Sequence, residues 1–456
     1  MGVPISARIN RLPGTASLWK LVAQISMGGW FELYDLLFTG YIASGLTKSG
    51  LLISATQGTL EFNSVGAFIA ATFAGLFVGS LFFGFLSDKF GRRFVFTYAL
   101  LWYSISTAIM ACQHSADGLL FWRFIAGIGV GVEFITIDCY LAELMPVRMR
   151  GRAFAFNQAM MFSAVPIVAL LAWRLVPNAP FGIEGWRWVV LLGSAGAVLV
   201  WFIRRGIPES PLWLARQGRE LEADRIVADM EANAIRAQGR PLPDPEPAVV
   251  PLQDIGAALS DVFRPPYRAR VIVLVVFNAC QVIGYYGFAN WVPALLLANG
   301  VGVTKSLGYS AAIAIANPIG PFIALSFADR VDRKWIIVGS ALVVAIVGTV
   351  FSLFKEPSLL IFCGILITLA NTILSCVYHA YQVELFPTTI RARAGGISYS
   401  SSRIAALFSG FLIAVFLKNF GTLGAFGLIS ACMIAVMFVI GIFGPSGKSL
   451  AADASH

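Results

Sequence analysis

Apolar residues run along this chain in long, nearly unbroken stretches, separated by short polar clusters. A helix needs about 20 mostly apolar residues to cross about 30 Å of hydrocarbon. Twelve stretches approach or exceed that length: Leu18–Ser44, Ser64–Ser87, Phe94–Cys112, Gly118–Glu143, Phe154–Leu175, Arg187–Ile203, Val271–Ala298, Leu307–Ala328, Trp335–Phe354, Ser358–Glu384, Gly395–Leu417 and Leu423–Phe443. The pattern predicts an all-α membrane protein of twelve transmembrane helices. One long polar stretch, Arg204–Arg270, divides them six and six. The expected organisation is a six-helix bundle over residues 1–203, a linker over 204–270, a second bundle over 271–444 and a tail over 445–456. Within the linker, Arg216–Gln238 reads as an amphipathic surface helix, with Leu221, Ile226, Met230 and Ala234 at near-helical spacing. The proline-rich Pro241–Pro251 follows it and cannot sustain a helix.

Composition narrows the class further. Of 456 residues, 58% are hydrophobic and 12% charged, whereas soluble domains carry about 25% charge. A net charge of +9 suggests nucleic acid in a soluble chain. Here Lys and Arg cluster between apolar runs, which is the signature of membrane topology. With the N-terminus inside, 25 of the 33 Lys and Arg fall on inner segments and six on outer ones, and Arg123 and Arg403 stay within the membrane. Both termini are therefore expected on the cytoplasmic side. The six cysteines lie in apolar runs without a CxxC pair and read as small core residues. The sequence offers no nucleophile–base pair, metal cluster or P-loop, so neither enzymatic activity nor a cofactor is expected. Energy then comes from an ion or substrate gradient. The expected partners are a lipid bilayer, a small molecule and a proton, with no nucleic acid, for a chain acting as a monomer.

The two halves repeat each other. A shift of 241 residues carries Asp88 onto Asp329, Arg92 onto Arg333, Glu143-Leu-Met-Pro146 onto Glu384-Leu-Phe-Pro387 and Arg152 onto Arg393. Two separate motifs sharing one offset indicate a parallel six-plus-six repeat, an arrangement that places a binding site between two rocking halves.

At these residues the chain resembles the major facilitator superfamily. The loop Gly84-Phe-Leu-Ser-Asp88-Lys-Phe-Gly91-Arg92-Arg93 is similar to that superfamily's most specific signature. Trp122-Arg123 with Gly127, Gly129 and Gly131, Glu143-x-x-Pro146 before Arg150-Gly151-Arg152, and Pro208-Glu209-Ser210-Pro211 look like sugar-porter motifs. In the seventh helix, Cys280-Gln281-Val-Ile-Gly284-Tyr285-Tyr286 departs from the sugar-porter pattern at one amide and at the asparagine. Phe31-Glu32-Leu33-Tyr34-Asp35 and Glu133 are more similar to the organic-ion and metabolite:proton symporter branch, the neighbourhood of niacin and aromatic-acid transporters. That resemblance implies a bacterial inner-membrane symporter, with Arg403 as the eleventh-helix residue that tracks substrate sign.

Charges at mid-helix cost at least about 2.5–3.5 kcal/mol to insert, so each needs a partner or water. Asp35 and Arg123 lie at matching depths of the first and fourth helices. They are expected to pair either as a proton-coupling switch or as a static tie, with Glu32, one turn away, as another proton site. Glu133 reads as a cavity site or an interhelical bond, and Asp138 more simply as an interhelical bond. Arg403, expected about 12 Å into its helix, suits a carboxylate or an acidic neighbour. The aromatics Trp30, Phe31, Tyr34, Tyr285, Tyr286, Trp291 and Tyr378 and the amides Gln158, Gln281 and Asn290 are candidates to line the cavity, with helix packing the plainer reading for any one aromatic. His379 can titrate near neutrality or make a helix contact. Gly84, Asp88, Arg92, Glu143 and Arg152, with Asp329, Arg333, Glu384 and Arg393, read as a two-fold cytoplasmic gate or as a topological anchor. The resulting expectation is a proton-coupled symporter of a small organic anion, an aromatic or heteroaromatic monocarboxylate such as nicotinate. A sugar or polyol symporter is the first alternative and a non-transporting membrane sensor the second.

Overall fold

The structure is a computed structural model that describes residues 3–53, 64–82, 86–204, 206–245, 262–265, 267–327, 331–386 and 388–446. Gly84 and Asp329 lie outside the described residues, as does the side chain of Arg393. The described chain is helical almost throughout. The elements are α1 (Ile5–Asn10), α2 (Ala16–Lys48), α3 (Val65–Phe82), α4 (Leu86–Phe90), α5 (Arg92–Ala111), α6 (Ala116–Leu144), α7 (Val147–Phe162), α8 (Ala164–Leu175) and α9 (Gly185–Arg204). The linker forms α10 (Pro211–Arg216) and α11 (Glu220–Gln238). The second half forms α12 (Tyr267–Ala289), α13 (Val292–Ala298), α14 (Val303–Ala314), α15 (Ala316–Phe327), α16 (Arg333–Leu353), α17 (Pro357–Glu384) and α18 (Thr388–Phe438).

Among the described residues, ten helical segments are long and apolar enough to cross a membrane. The last, Ala394–Phe443, has 50 residues, about 75 Å of helix and more than twice the hydrocarbon thickness. It breaks at Gly421, whose φ of 65° leaves the helical region. The 33-residue α2 is also long enough to span, although Lys20, Glu32, Asp35 and Lys48 dilute its hydropathy.

Three runs that read as continuous in the sequence are broken. Ser163 separates α7 from α8, Asn290 and Trp291 separate α12 from α13, and Ile315 separates α14 from α15. Each break stands two or three residues before a proline (Pro166, Pro293 or Pro318), which offers no N–H to the carbonyl four residues back. At the third break the side-chain amide of Asn317 donates to the Ala314 carbonyl at 3.1 Å, the acceptor that Pro318 leaves open.

Close packing of the first half rests on glycines. A Cβ at Gly75 would stand 2.1 Å from the Phe124 carbonyl oxygen, and one at Gly131 would stand 2.3 Å from that of Leu76. Backbones of α3 and α6 therefore touch directly, as small residues four apart permit. The predicted linker helix is also corrected. Gly218, at φ 74°, ends α10 just before α11 begins, and the buried stripe of α11 is Ala223, Val227, Glu231 and Ala234. Leu221 is 87% exposed, one position off that stripe.

The two halves meet tightly at the far end of the bundle, where α2 finishes. A Cβ at Gly40 would lie 2.0 Å from the Asn290 carbonyl oxygen, and one at Gly410 would lie 3.0 Å from that of Gly66. Toward the near end, where α2 begins, a cleft of about 490 Å³ is lined by α7 and α15, Phe156 and Phe322 among the residues.

Candidate functional site

At the core of the bundle is a cavity of about 110 Å³. Its walls follow the helical repeat on four helices: Gln158, Met161 and Phe162; Asn278, Gln281, Val282 and Tyr285; Ser375, Tyr378 and His379; Tyr399, Ser402, Arg403 and Ala406. Spacings of i, i+3, i+4 and i+7 bring these residues onto one face of each helix. Tyr286 and Leu33 complete the lining.

Six of the sixteen lining residues carry rings, and these brace one another. Tyr378 stacks on Phe277 with centroids 3.8 Å apart, and its hydroxyl accepts from the Asn278 amide. Tyr285 and Tyr286 meet edge to face at 5.0 Å, and Tyr286 reaches across to Phe73 of α3 at 4.8 Å. His379 Nδ1 and the Tyr399 hydroxyl share a hydrogen bond of 2.8 Å, with their rings nearly parallel. Tyr286 lies within electrostatic reach of Arg403 and of Glu32, which is buried on α2. Asp138 of α6, exposed although it sits well inside a spanning helix, is within electrostatic reach of Arg403 too. Arg403 stands fifteen residues after the first residue of α18, about 22 Å along it and not 12 Å, because the helix begins seven residues before the apolar run does.

Seven of the expected binding residues thus share one cavity: Gln158, Gln281, Tyr285, Tyr286, Tyr378, His379 and Arg403. Five lie outside its lining. Trp30 donates its indole N–H to Ser163 Oγ at 3.1 Å. Phe31 fills the space above Gly196, and Tyr34 packs on Gly193 while its hydroxyl donates to the Val189 carbonyl at 2.8 Å. Asn290 and Trp291 form the break at the far end, against Gly40 in the case of Asn290. Asn278, Ser375, Tyr399 and Ser402 line the cavity without having been singled out from the sequence. The helical repeat anchored on Gln281, Tyr378 and Arg403 is the signal that finds them.

A second charged centre sits apart, in the far half of α2. Arg123 is fully buried, and its guanidinium pairs with Asp35 Oδ2 at 2.8 Å. It also donates to the Asp35 carbonyl, to Thr39 Oγ1 and to Thr72 Oγ1, each at 2.8 Å. Thr107 donates to Asp35 Oδ1 at 3.1 Å, and the Phe38 ring lies 4.6 Å from the guanidinium. One ion pair thereby links α2, α3, α5 and α6. Glu133 is fully buried on α6 and does not line the cavity.

The third centre is at the near end. Arg92 pairs with Asp88 at 2.8 Å and with Glu143 at 3.0 Å, and Arg333 pairs with Glu384 in the other half. Each of these pairs stays within its own half. Asp88 is largely exposed, and Arg152 lines the near-end cleft. Glu209 accepts from the Arg93 backbone N–H at 3.0 Å, satisfying a donor at the start of α5, and Ser210 accepts from Trp213 to cap α10. Trp213 in turn donates to the Asp88 carbonyl at 2.8 Å. The Pro208–Pro211 motif therefore fastens the linker to the loop before α5.

Comparison with known proteins adds three findings. The family described as "Sugar (and other) transporter" is matched over residues 21–453. The chain is 28% identical over 440 residues to the putative metabolite transport protein YyaJ of Bacillus subtilis, covering 96% of this chain and 95% of that one. It is 27% identical over 447 residues to the niacin transporter NiaP of Acinetobacter baylyi, covering 97% and 98%. Among solved structures, the partially occluded inward open conformation of the xylose transporter XylE from E. coli has a TM-score of 0.74 at 18% identity, covering 94% of this chain and 98% of that one.

Proposed function

We propose, from the premise that this chain belongs to the sugar (and other) transporter family of the major facilitator superfamily, that it is a proton-coupled symporter of a small organic anion. Its substrate class on this reading is an aromatic or heteroaromatic monocarboxylate such as nicotinate. The observation that carries it is Arg403, a permanent cation in a cavity lining that otherwise holds rings, amides, serines and apolar side chains. A guanidinium offers a planar fork for a carboxylate, and Tyr285, Tyr286 and Tyr378 offer faces for a flat ring. The similarity to a niacin transporter supports the same class.

The full topology is twelve crossings with both termini in the cytoplasm of a bacterial inner membrane. Support comes from the Lys and Arg bias, from the length of α2, and from the doubled length of the last helical run. On that topology the far end is external, so the contact of Gly40 with Asn290 closes the outer side. Asp35 is the coupling acid. It binds a proton more readily when Arg123 is drawn elsewhere, and the network of α2, α3, α5 and α6 transmits that change. The near-end charges Asp88, Arg92, Glu143 and Arg152, with Arg333 and Glu384, act as the cytoplasmic gate. Sugar symport is the second reading. Gln158, Gln281 and Asn278 in the lining favour it, as hydrogen-bonding groups suited to hydroxyls.

A thermal-shift screen of purified protein separates the two readings, with aromatic carboxylates, their amides, cationic amines and hexoses as the panel. Stabilisation by the acids that is lost in Arg403→Ala is the expected result, followed by uptake into proteoliposomes under an imposed pH gradient. Stabilisation by hexoses instead overturns the anion reading.

A further inference from the structure

We infer that the cleft lined by α7 and α15 is a binding site for one anionic phospholipid, with the phosphate on Arg152 and an acyl chain along the groove. The inference stands apart from the choice of substrate and needs only that the chain spans a bilayer. The cleft, of about 490 Å³, takes its lining from α7 of the first half and α15 of the second. Among the described residues that lining is apolar apart from Arg152 and Ser163, and it holds no acidic group. Ser163 is occupied, because it accepts from Trp30 and donates to the Met160 carbonyl at 2.6 Å. Arg152 is exposed and makes no hydrogen bond or ion pair among the described residues. Nearby on α7, Arg148 and Arg150 instead donate to the carbonyls of Leu12 and Met145, at 3.0 and 3.2 Å. The cleft thus offers one open cation and, beyond it, an apolar surface.

Its length matches one leaflet. The apolar run of α7 opens at Phe154, which puts Arg152 at the level of the headgroups. Ser163, at the other end of the lining on α7, comes eleven residues after Arg152. That is about 16 Å of helix, about half of the 30 Å hydrocarbon. A fitting ligand therefore carries a negative head at the near surface and a hydrocarbon tail that reaches the midplane. Basic recesses between spanning helices select anionic headgroups in this way. The tail only replaces other lipid tails of equal polarity, so discrimination lies in the headgroup. Because the lining comes from both halves, the lipid interacts differently with conformations that space α7 and α15 differently. Such a difference is what a ligand needs in order to shift a conformational equilibrium.

Native mass spectrometry of the purified full-length protein tests the inference, with phosphatidylglycerol and phosphatidylcholine of identical chains as probes. One phosphatidylglycerol per chain should be held about fivefold more tightly than phosphatidylcholine, the weight of one basic residue on an anionic headgroup. Arg152→Gln should abolish that preference. Arg225→Gln, which removes an exposed charge of α11, should keep it. Ala159→Trp fills the groove and should release the tightly held lipid; should that variant fail to fold, Ala155→Leu is read in the same way. Glycerol 3-phosphate, a head without tails, should not displace the lipid. Equal retention of the two lipids by the parent overturns the site. So does a preference that survives in a folded Arg152→Gln or Ala159→Trp protein, or one lost equally in Arg225→Gln. Displacement by glycerol 3-phosphate overturns the lipid as the occupant and points to a soluble phosphate instead.

Discussion

At the scale of single residues, the buried pair of Asp35 and Arg123 sets the strongest expectation. Removing one partner of a buried ion pair strands the other charge, at about 3–5 kcal/mol. Asp35→Asn should therefore lower the unfolding temperature clearly, and it should abolish uphill uptake while exchange of substrate across the membrane continues. Survival of proton-driven accumulation in that variant would remove Asp35 from the coupling role. Glu231 gives a prediction in pH. Burial alone would raise its pKa, but hydrogen bonds from Arg8 and Arg11 outweigh that and hold it below the usual value. A carboxylate with a lowered folded pKa stabilises above its unfolded pKa and stops doing so as pH falls through the folded one. The protection of α1 amides relative to their intrinsic exchange rate should thus stay constant from pH 8 to about pH 5 and fall only below the usual glutamate range, about 4.3. The charges Asp35, Arg123 and Arg403 were legible in the sequence because each stands out against apolar neighbours. Helix packing was the plainer reading for Phe31 and Tyr34 too, but their packing partners were not legible, because the glycines that receive them, Gly196 and Gly193, lie more than 150 residues away along the chain.

At the scale of elements, the contact of α3 with α6 leaves no room for side chains at its centre. Gly75→Leu should cost about 1–3 kcal/mol or more, as overpacking does, whereas Gly339→Ala, where nothing lies within 4 Å, should be near neutral. Thermal unfolding of the two variants in one detergent makes the comparison. The runs of apolar residues predicted where helices would be, but not where they would break. Pro166, Pro293 and Pro318 are plain in the sequence, yet a proline ends a helix, kinks it or opens it, and the outcome depends on partners such as Asn317. The shift of the α11 stripe has a similar origin. Leu221 was counted into it by hydropathy, while Glu231, held by Arg8 and Arg11 at 2.8 and 2.6 Å, is what the helix buries.

At the scale of the whole molecule, the far-end seal between Gly40 and Asn290 makes the conformation testable. Gly40→Trp cannot close there and should drive the population toward the opposite-facing state. A cysteine at Phe322, beside the near-end cleft, should then react more slowly with a membrane-impermeant maleimide added from the near side; an unchanged rate would contradict the rocking of two halves. The 241-residue repeat made those halves visible in the sequence, but the cavity between them emerged only once four helices were set side by side. The linker carries a further consequence. Glu209 holds Arg93, Trp213 holds Asp88, Tyr140 donates to the Pro208 carbonyl, and Glu231 receives Arg8 and Arg11. All of these ties lead into the first bundle. The linker cap of α10 and α11 is thus freight carried by one half, and a chain severed between α9 and α10 should still hold the cap on its first bundle through these ties.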